Sequence, residues 1–514
     1  MGEKSMAEDA IRLRNEFRDG YDGCFPQKRV KLRKLDLRKP WLDDEELKGK
    51  IKERNRLYTR GLKSDGLGPQ DAERLKLLNL EVNRLRHQLK KSHFARQLNE
   101  AGKNSKAAWK VLHDFIGRTG KKRDPPSRTF SHNGKVITRD SDVAESFCDF
   151  FSGIGPELAG KVRPPSSGSF RDYLGGRSDV SAYFVPTTPA EIETICQALD
   201  CSKGPGHDGI APAILSYAAT EVSGLLSRLV NACLQAGHFP DFLKVARVTP
   251  VFKDGDPTQL GNYRPISVLS ALSKVFERVI QTRLLGFLGR CGSILASQYG
   301  FRRGHSTFMA IMDMVENIRQ AWESGRHCLG VFIDFRKAFD TVDHSILIDK
   351  LEHLGVRGLP LELIRSYLTN RKQYVVYGES ESLHQVLSVG VPQGSILGPL
   401  FFLLYINDLS AASSFFRCIL FADDTNLFSS GKDKGDLIRE VNSELCKLSG
   451  WFAHNKLTLN YGKTEFVNFS KSTNGQNDKG WDLGIDGVPI RQVDNSKFLG
   501  VYIDKKYLLA GSYW

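Results

Sequence analysis

The chain has 514 residues, 40% of them hydrophobic and 26% charged, which supplies a sizeable core and excludes a disordered or fibrous protein. No apolar run approaches the ~18 residues of a membrane helix; the nearest, 396–406, is interrupted by Gly398 and Pro399. The N-terminal MGEKSMAEDAIRLRNEF lacks an apolar signal-peptide core, and Met6 stands where a myristoylation signal needs Ser or Thr, so the expectation is an intracellular protein of nucleus or cytoplasm, not secreted and with no membrane partner.

The net charge of +14 is concentrated at one end. Residues 1–130 hold 33 Lys and Arg against 19 Asp and Glu, whereas residues 131–514 hold 40 of each. A basic extension on a neutral body suits a polyanion, most simply nucleic acid, although a solvated basic face without a partner has the same composition. Nine cysteines include no CxxC pair and no Cys/His cluster with zinc spacing, which reads as free thiols in a reducing compartment.

In chain order, residues 41–117 read as helical. Leu78, Val82, Leu85 and Leu89 form one stripe, while Arg84, Arg86, Lys90, Lys91 and Arg96 occupy the other faces. A second helix carrying Trp109, Leu112 and Ile116 is stopped by Gly117, and KKRDPPSR at 121–128 reads as a linker. Residues 152–186, rich in Gly, Ser and Pro, read as irregular. Thr188, Pro189 and Glu191 then have the cap, first-turn proline and capping-box acid of a helix start. From there helices and strands alternate with short turns, an α+β pattern without repeats or heptads.

Two segments carry candidate chemistry. Val331, Phe332 and Ile333 form a short buried-strand signature that ends at Asp334. An acid after such a run is paired, ligates a metal, or caps the next helix. In CILFADDTNLF, 418–428, two β-type runs flank a turn with Asp423 and Asp424 at its tip. Asp pairs are common in turns for local hydrogen-bonding reasons. Here apolar residues press on both sides, and adjacent carboxylates repel unless a cation neutralises them. Mg²⁺ prefers such hard oxygens and completes its octahedron with water and phosphates. Three carboxylates from two strands suit two ions, the arrangement for phosphoryl transfer: one lowers the pKa of a primer 3′-hydroxyl, the other neutralises leaving pyrophosphate.

The chain also resembles the reverse transcriptase of non-LTR (LINE-type) retrotransposons, near the jockey-like group. The segments that carry the resemblance are SKGPGHDGI (202–210), PVFKDGD (250–256), NYRPISVLS (262–270), QYGFRRGHST (298–307), IDFRKAFDTVDH (333–344), GVPQGSILGPLFF (390–402), FADD (421–424), NKLTLNYGKT (455–464) and KFLGVYID (497–504), in the family's order. The resemblance implies a right-hand polymerase fold of fingers and palm, with an antiparallel palm sheet bearing helices on one face and a basic helical extension in front. The expected organisation is an extension over 1–130, a linker-rich connection over 131–186, a helical lead-in to the fingers over 187–231, the reverse transcriptase domain over 232–504, and the truncated start of a thumb over 505–514. No endonuclease is expected in this chain.

By the same resemblance, Asp334, Asp423 and Asp424 are the catalytic triad and hold two Mg²⁺ ions, with Mn²⁺ as a substitute. Lys253 and Arg264 grip the incoming dNTP, for which a point charge and a forked cation suit phosphate oxygens. Phe339 stands at the sugar gate that favours deoxynucleotides, with a plain core phenylalanine as the alternative. Gln393 and Gly394 pack along the new base pair, where small glycines allow close backbone approach. Lys463 matches a lysine that protonates pyrophosphate. Asp343 is read as the cap of the helix bearing Ile346, Leu347, Leu351 and Leu354 and stopped by Gly355, Asp340 as no metal ligand, and His305 and His344 as structural. The implied function is RNA-directed DNA synthesis, with RNA template, DNA primer and dNTPs as partners. The alternative is a truncated, inactive relic that binds RNA through the basic arm.

Overall fold

The computed structural model describes residues 40–63, 68–102, 111, 129–132, 134–162, 165, 167–469, 480–506 and 509–511. The chain divides into two compact units, one within residues 25–127 and the other built from residue 128 onward.

The first unit contains two helices, α1 (Glu45–Lys63) and α2 (Pro69–Ala101). Proline in the first turn of α2 and Gly102 beyond its end, with φ 50°, bracket the helix. Leu78 and Val82 are buried, with Leu47 and Phe94, and the Trp41 ring lies 5.2 Å from Phe94. Leu85 and Leu89 are only half-buried. Lys50 and Glu81, 2.8 Å apart, link the helices. The expected helix through Trp109, Leu112 and Ile116 to Gly117, and the linker after it, lie outside the described residues.

The second unit includes α3 (Asp140–Lys161), α4 (Pro189–Gln197), β1 (Val245–Phe252), β2 (Tyr263–Val268), α5 (Ala271–Arg290), α6 (Thr307–Glu323), β3 (His327–Ile333), α7 (His344–His353), β4 (Lys372–Tyr377), α8 (Leu397–Tyr405), β5 (Arg417–Phe421), β6 (Asp424–Gly431), α9 (Lys434–His454), β7 (Glu465–Phe469) and β8 (Arg491–Gln492), with further elements between, among them the helices Ala219–Ala236 and Leu359–Leu368. The α+β reading holds. The helix start at Thr188 has the expected cap and first-turn proline, its hydroxyl accepting from Glu191 N at 3.2 Å, but not the capping box, because the Glu191 carboxylate turns to Arg283 instead.

Residues 131–186 are not a linker-rich connection throughout. α3 runs through residues 152–161, which the glycines and Pro156 had marked as irregular. Its Val143, Phe147 and Phe151 repeat at helical spacing and are buried against Val248, Tyr263 and Val375 of a sheet in which β1 pairs antiparallel with β2 and parallel with β4. That apolar burial outweighs the helix-breaking tendency of one proline, and Gly155 serves close packing: a Cβ there would collide with the Asp340 carbonyl.

The second sheet has the order β8-β7-β3-β6-β5, antiparallel except for the β7–β8 pair. Its helices lie on both faces, not one. Leu329, Val331 and Ile333 point into the core with Phe401, Leu404, Leu448 and Phe452 of α8 and α9. Cys328 and Phe332 point the other way, against Ala310, Met314 and Ile318 of α6 and Phe498 and Ile503 of the hairpin 495–504. A strand buried on both sides reads as a continuous apolar run, which is what β3 shows. Among the described residues no helix is long and apolar enough to cross a membrane, and every cysteine is free.

Candidate active site

Three backbone features converge at one end of the second sheet. β3 and β6 pair antiparallel with Ile333 opposite Thr425, so one further step sets Asp334 beside Asp424, on strands whose Cα atoms are about 5 Å apart. Asp424 pairs with Phe421 across the β5–β6 hairpin, which leaves Ala422 and Asp423 as a two-residue turn. Asp424 is therefore the first strand residue, and the tip is Ala422–Asp423.

Ala422 has φ 56°, a left-handed conformation that such a turn normally gives to glycine. Its neighbours hold it there. Residues 297–299 run along the edge of β5, with Leu420 N donating to Ser297 O at 2.9 Å and Tyr299 N to Leu420 O at 2.8 Å. Buried Gln298 accepts from Ala422 N at 3.2 Å and from Gly300 N at 2.9 Å. Gly300 is obligatory here, because a Cβ would strike the Ala422 backbone.

The loop after α9 secures Asp334. Asn460 N donates to its carbonyl at 2.8 Å, and Asn460 Nδ2 donates to its Oδ2 at 2.7 Å. The Thr464 hydroxyl accepts from Asp334 N at 3.3 Å. Lys463 N and Thr464 N both donate to Asn460 O at 2.9 Å, which closes the turn that carries Lys463.

The charges are coupled. Burial raises the Asp423 carboxyl, as does Asp334, while Arg264 and Lys253 oppose the rise. Asp424 is pushed up to about 6, first by burial, then by Asp423 and Asp334. Both side chains reach solvent, so this burial is that of a cleft whose walls displace part of their hydration. Lys253 is lowered by burial and by neighbouring Lys463 and Arg264, with Asp254 and Asp334 acting the other way. Lys253, Arg264 and Lys463 form no ion pair among the described residues, although Lys253 lies near enough to Asp334, and Lys253 and Arg264 near enough to Asp423, for their charges to act on one another.

No group of three or more His, Cys, Asp or Glu among the described residues is drawn together tightly enough to enclose an ion unaided. The donor set nevertheless fits Mg²⁺, which takes one or two carboxylates and fills its octahedron with water and substrate phosphates. The repulsion that lifts Asp424 is the kind a divalent cation relieves.

The remaining expected residues make contacts within the protein. Phe339 is half-buried and stacks on Phe402 of α8 with centroids 4.9 Å apart. Gln393 Nε2 donates to both carboxylate oxygens of Asp340 at 3.0 Å. Gly394 has φ 125°, and a Cβ there would come within 2.5 Å of Ser267 O, so the 390–395 loop lies directly on β2. Asp343 caps α7 as expected, accepting from Ser345 N and Ile346 N, and Gly355 follows with φ 98°. His344 bonds the Gly390 carbonyl at 2.7 Å and His305 the Arg303 carbonyl at 3.3 Å, both structural contacts.

Sequence reasoning missed four supports: Asn460, Gln298, Asp340 and Glu277. Glu277 is wholly buried on α5 and accepts from Ile396 N at 2.6 Å, capping α8 from a distance. Only the neighbourhood of Gly300 and of Lys463 hinted at the first two. Nothing local marks a partner 119 residues away.

Residues 252–503 match the family model described as reverse transcriptase (RNA-dependent DNA polymerase). The chain is 29% identical over 476 residues to a probable RNA-directed DNA polymerase from transposon X-element of Drosophila melanogaster, an alignment covering 89% of this chain and 50% of that protein. It is 32% identical over 333 residues to the probable RNA-directed DNA polymerase from transposon BS of the same species, covering 63% and 36%. With the RNA-directed DNA polymerase from mobile element jockey of Drosophila melanogaster the identity is 27%, covering 65% and 37%. The chain thus spans half or less of the length of these relatives. The hairpin with its paired aspartates, the strand ending in Asp334 and the loop holding it all fall inside the matched region, so residues 252–503 form a reverse transcriptase (RNA-dependent DNA polymerase) domain.

Proposed function

We propose that this chain is the RNA-directed DNA polymerase of a non-LTR retrotransposon, extending a primer 3′-hydroxyl with dNTPs on an RNA template. The observation that carries this reading is the strand register that sets Asp334 beside Asp424, near Lys253 and Arg264, which form no ion pair among the described residues. A triphosphate supplies the missing anions for Lys253 and Arg264, which suit phosphate oxygens as a point charge and a fork.

Asp334, Asp423 and Asp424 would hold two Mg²⁺ ions, whose chemistry would be to lower the pKa of the primer hydroxyl and to neutralise charge on the leaving pyrophosphate. Asn460 keeps the Asp334 carboxylate aimed into the cleft, and Gln298 keeps the strained turn from swinging Asp423 away. Phe339, backed by Phe402, places an aromatic edge where a ribose 2′-hydroxyl would clash. Gln393 and Gly394 give the new base pair a close-fitting wall. Lys463, solvent-facing beside Lys253, donates the proton that pyrophosphate takes on leaving. In the basic unit, exposed Arg84, Arg86, Lys91 and Arg96 on α2 add phosphate contacts to RNA.

Primer extension on poly(rA)–oligo(dT) with Mg²⁺ tests the proposal. Incorporation that disappears in Asp423→Ala supports it. RNA binding without incorporation by the intact chain replaces it with an RNA-binding relic.

A further inference from the structure

Asp340 lies six residues beyond Asp334, and the groups that act on its charge are Lys337 and Gln393. Three elements meet at it. The Gln393 amide donates to both of its carboxylate oxygens at 3.0 Å. Its own carbonyl is the surface against which Gly390 and Gly155 press, for a Cβ at Gly390 would come within 2.8 Å of that oxygen and one at Gly155 nearer still. Its backbone belongs to the 338–341 turn that also carries Phe339, whose carbonyl accepts from Val391 N at 2.9 Å. The 390–395 loop is thus clamped to the Asp340 turn on one side and, through Ser267 N donating to Gln393 O at 2.9 Å, to β2 on the other.

A carboxylate is an acceptor only, so it decides which end of the Gln393 amide faces it. The donor end is committed to Asp340, and the acceptor oxygen Oε1 is turned away from it. Without Asp340 the amide can flip or change rotamer, and the wall that Gln393 contributes loses its chemistry. Lys337 is the charged group facing Asp340 from the same turn, and no other acidic side chain competes for Gln393 Nε2 among the described residues.

We infer that Asp340 is a positioning residue that locks the Gln393 side chain in one orientation, acceptor outward, for recognition of a hydroxyl or amino donor on the incoming nucleotide. This rests on the polymerase reading above, and its failure can be told from the failure of that reading because the intact chain must first show Mg²⁺-dependent incorporation.

The test is a double-mutant cycle in steady-state primer extension with the full chain. Asp340→Ala is expected to raise the KM for dNTP about tenfold, the range for losing a hydrogen bond to a charged group, while kcat changes little. Asp340→Asn, which keeps one acceptor oxygen, is expected to recover part of the loss. Gln393→Ala alone should give a similar KM, and Asp340→Ala/Gln393→Ala should be no worse than Gln393→Ala. Additive losses would overturn the inference, since Asp340 would then act through something other than Gln393. Equal loss of kcat with unchanged KM, or no rescue by Asn in a variant that unfolds at the same temperature as wild type, would also overturn it.

Discussion

Replacing Asn460 probes how far the metal-holding geometry depends on a residue that touches no substrate. In Asn460→Ala the 2.7 Å bond from Nδ2 to Asp334 Oδ2 is lost, whereas the backbone bond from residue 460 to the Asp334 carbonyl remains. The turn keeps its path and only the carboxylate is released. A hydrogen bond to a charged group is worth roughly 1.5–3 kcal/mol, and each 1.4 kcal/mol is a factor of ten, so kcat is expected to fall about 10- to 100-fold. Asn460→Asp removes the same donor and adds a fourth negative charge within bonding distance of Asp334, so it should lose more and need a higher Mg²⁺ concentration for half-maximal rate. The assay is single-nucleotide incorporation under saturating dNTP across a Mg²⁺ titration. An Asn460→Ala enzyme within twofold of wild type, or an Asn460→Asp enzyme milder than Asn460→Ala, would refute the claim that this contact orients Asp334.

Asp424 gives a stability prediction of opposite sign to its effect on activity. Its folded-state pKa is about 6, above the ordinary 3.8, so the folded chain holds this proton more tightly than the unfolded chain does, and stability declines as pH rises between those values. The shift corresponds to about 3 kcal/mol at face value, and solvent access to the carboxylate reduces that to about 1 kcal/mol. Without divalent ions near neutral pH, Asp424→Asn should therefore resist urea better than wild type by about 1 kcal/mol, with the gain vanishing near pH 4. Mg²⁺ should stabilise wild type but not the variant, and a destabilised Asp424→Asn near neutral pH would contradict the repulsion argument. For the basic unit, deleting residues 1–130 should flatten the dependence of RNA affinity on salt, by about 0.7–0.9 in log–log slope for each phosphate contact removed. An unchanged slope in filter binding would place the RNA surface elsewhere.

Much of the site was legible from residues alone because its signals are local. The apolar run 331–333 ending in an acid, the double aspartate between two β-type runs, and the Asp343 cap each announce themselves within ten residues, since strand pairing and helix capping are short-range events. The same locality explains the errors. Glycines and Pro156 inside α3 look like breakers until Phe147 and Phe151 are seen buried under the sheet and Gly155 against the Asp340 carbonyl. Helices on both faces of the second sheet became clear only when alternate residues of β3 were found in two different cores.

What the residues determined on their own was the inventory of charge: three acids at strand ends, three cations elsewhere, and a surplus of positive charge in the first quarter. Tertiary structure alone decided how that charge is oriented. Asn460 on Asp334 spans 126 positions, Gln298 on the Ala422 turn 124, Glu277 on α8 119, and Gln393 on Asp340 53. A side-chain hydrogen bond to a group so distant in sequence leaves no periodicity or spacing to read. It exists only once packing has brought two unrelated segments within 3 Å and excluded the water that would otherwise satisfy them.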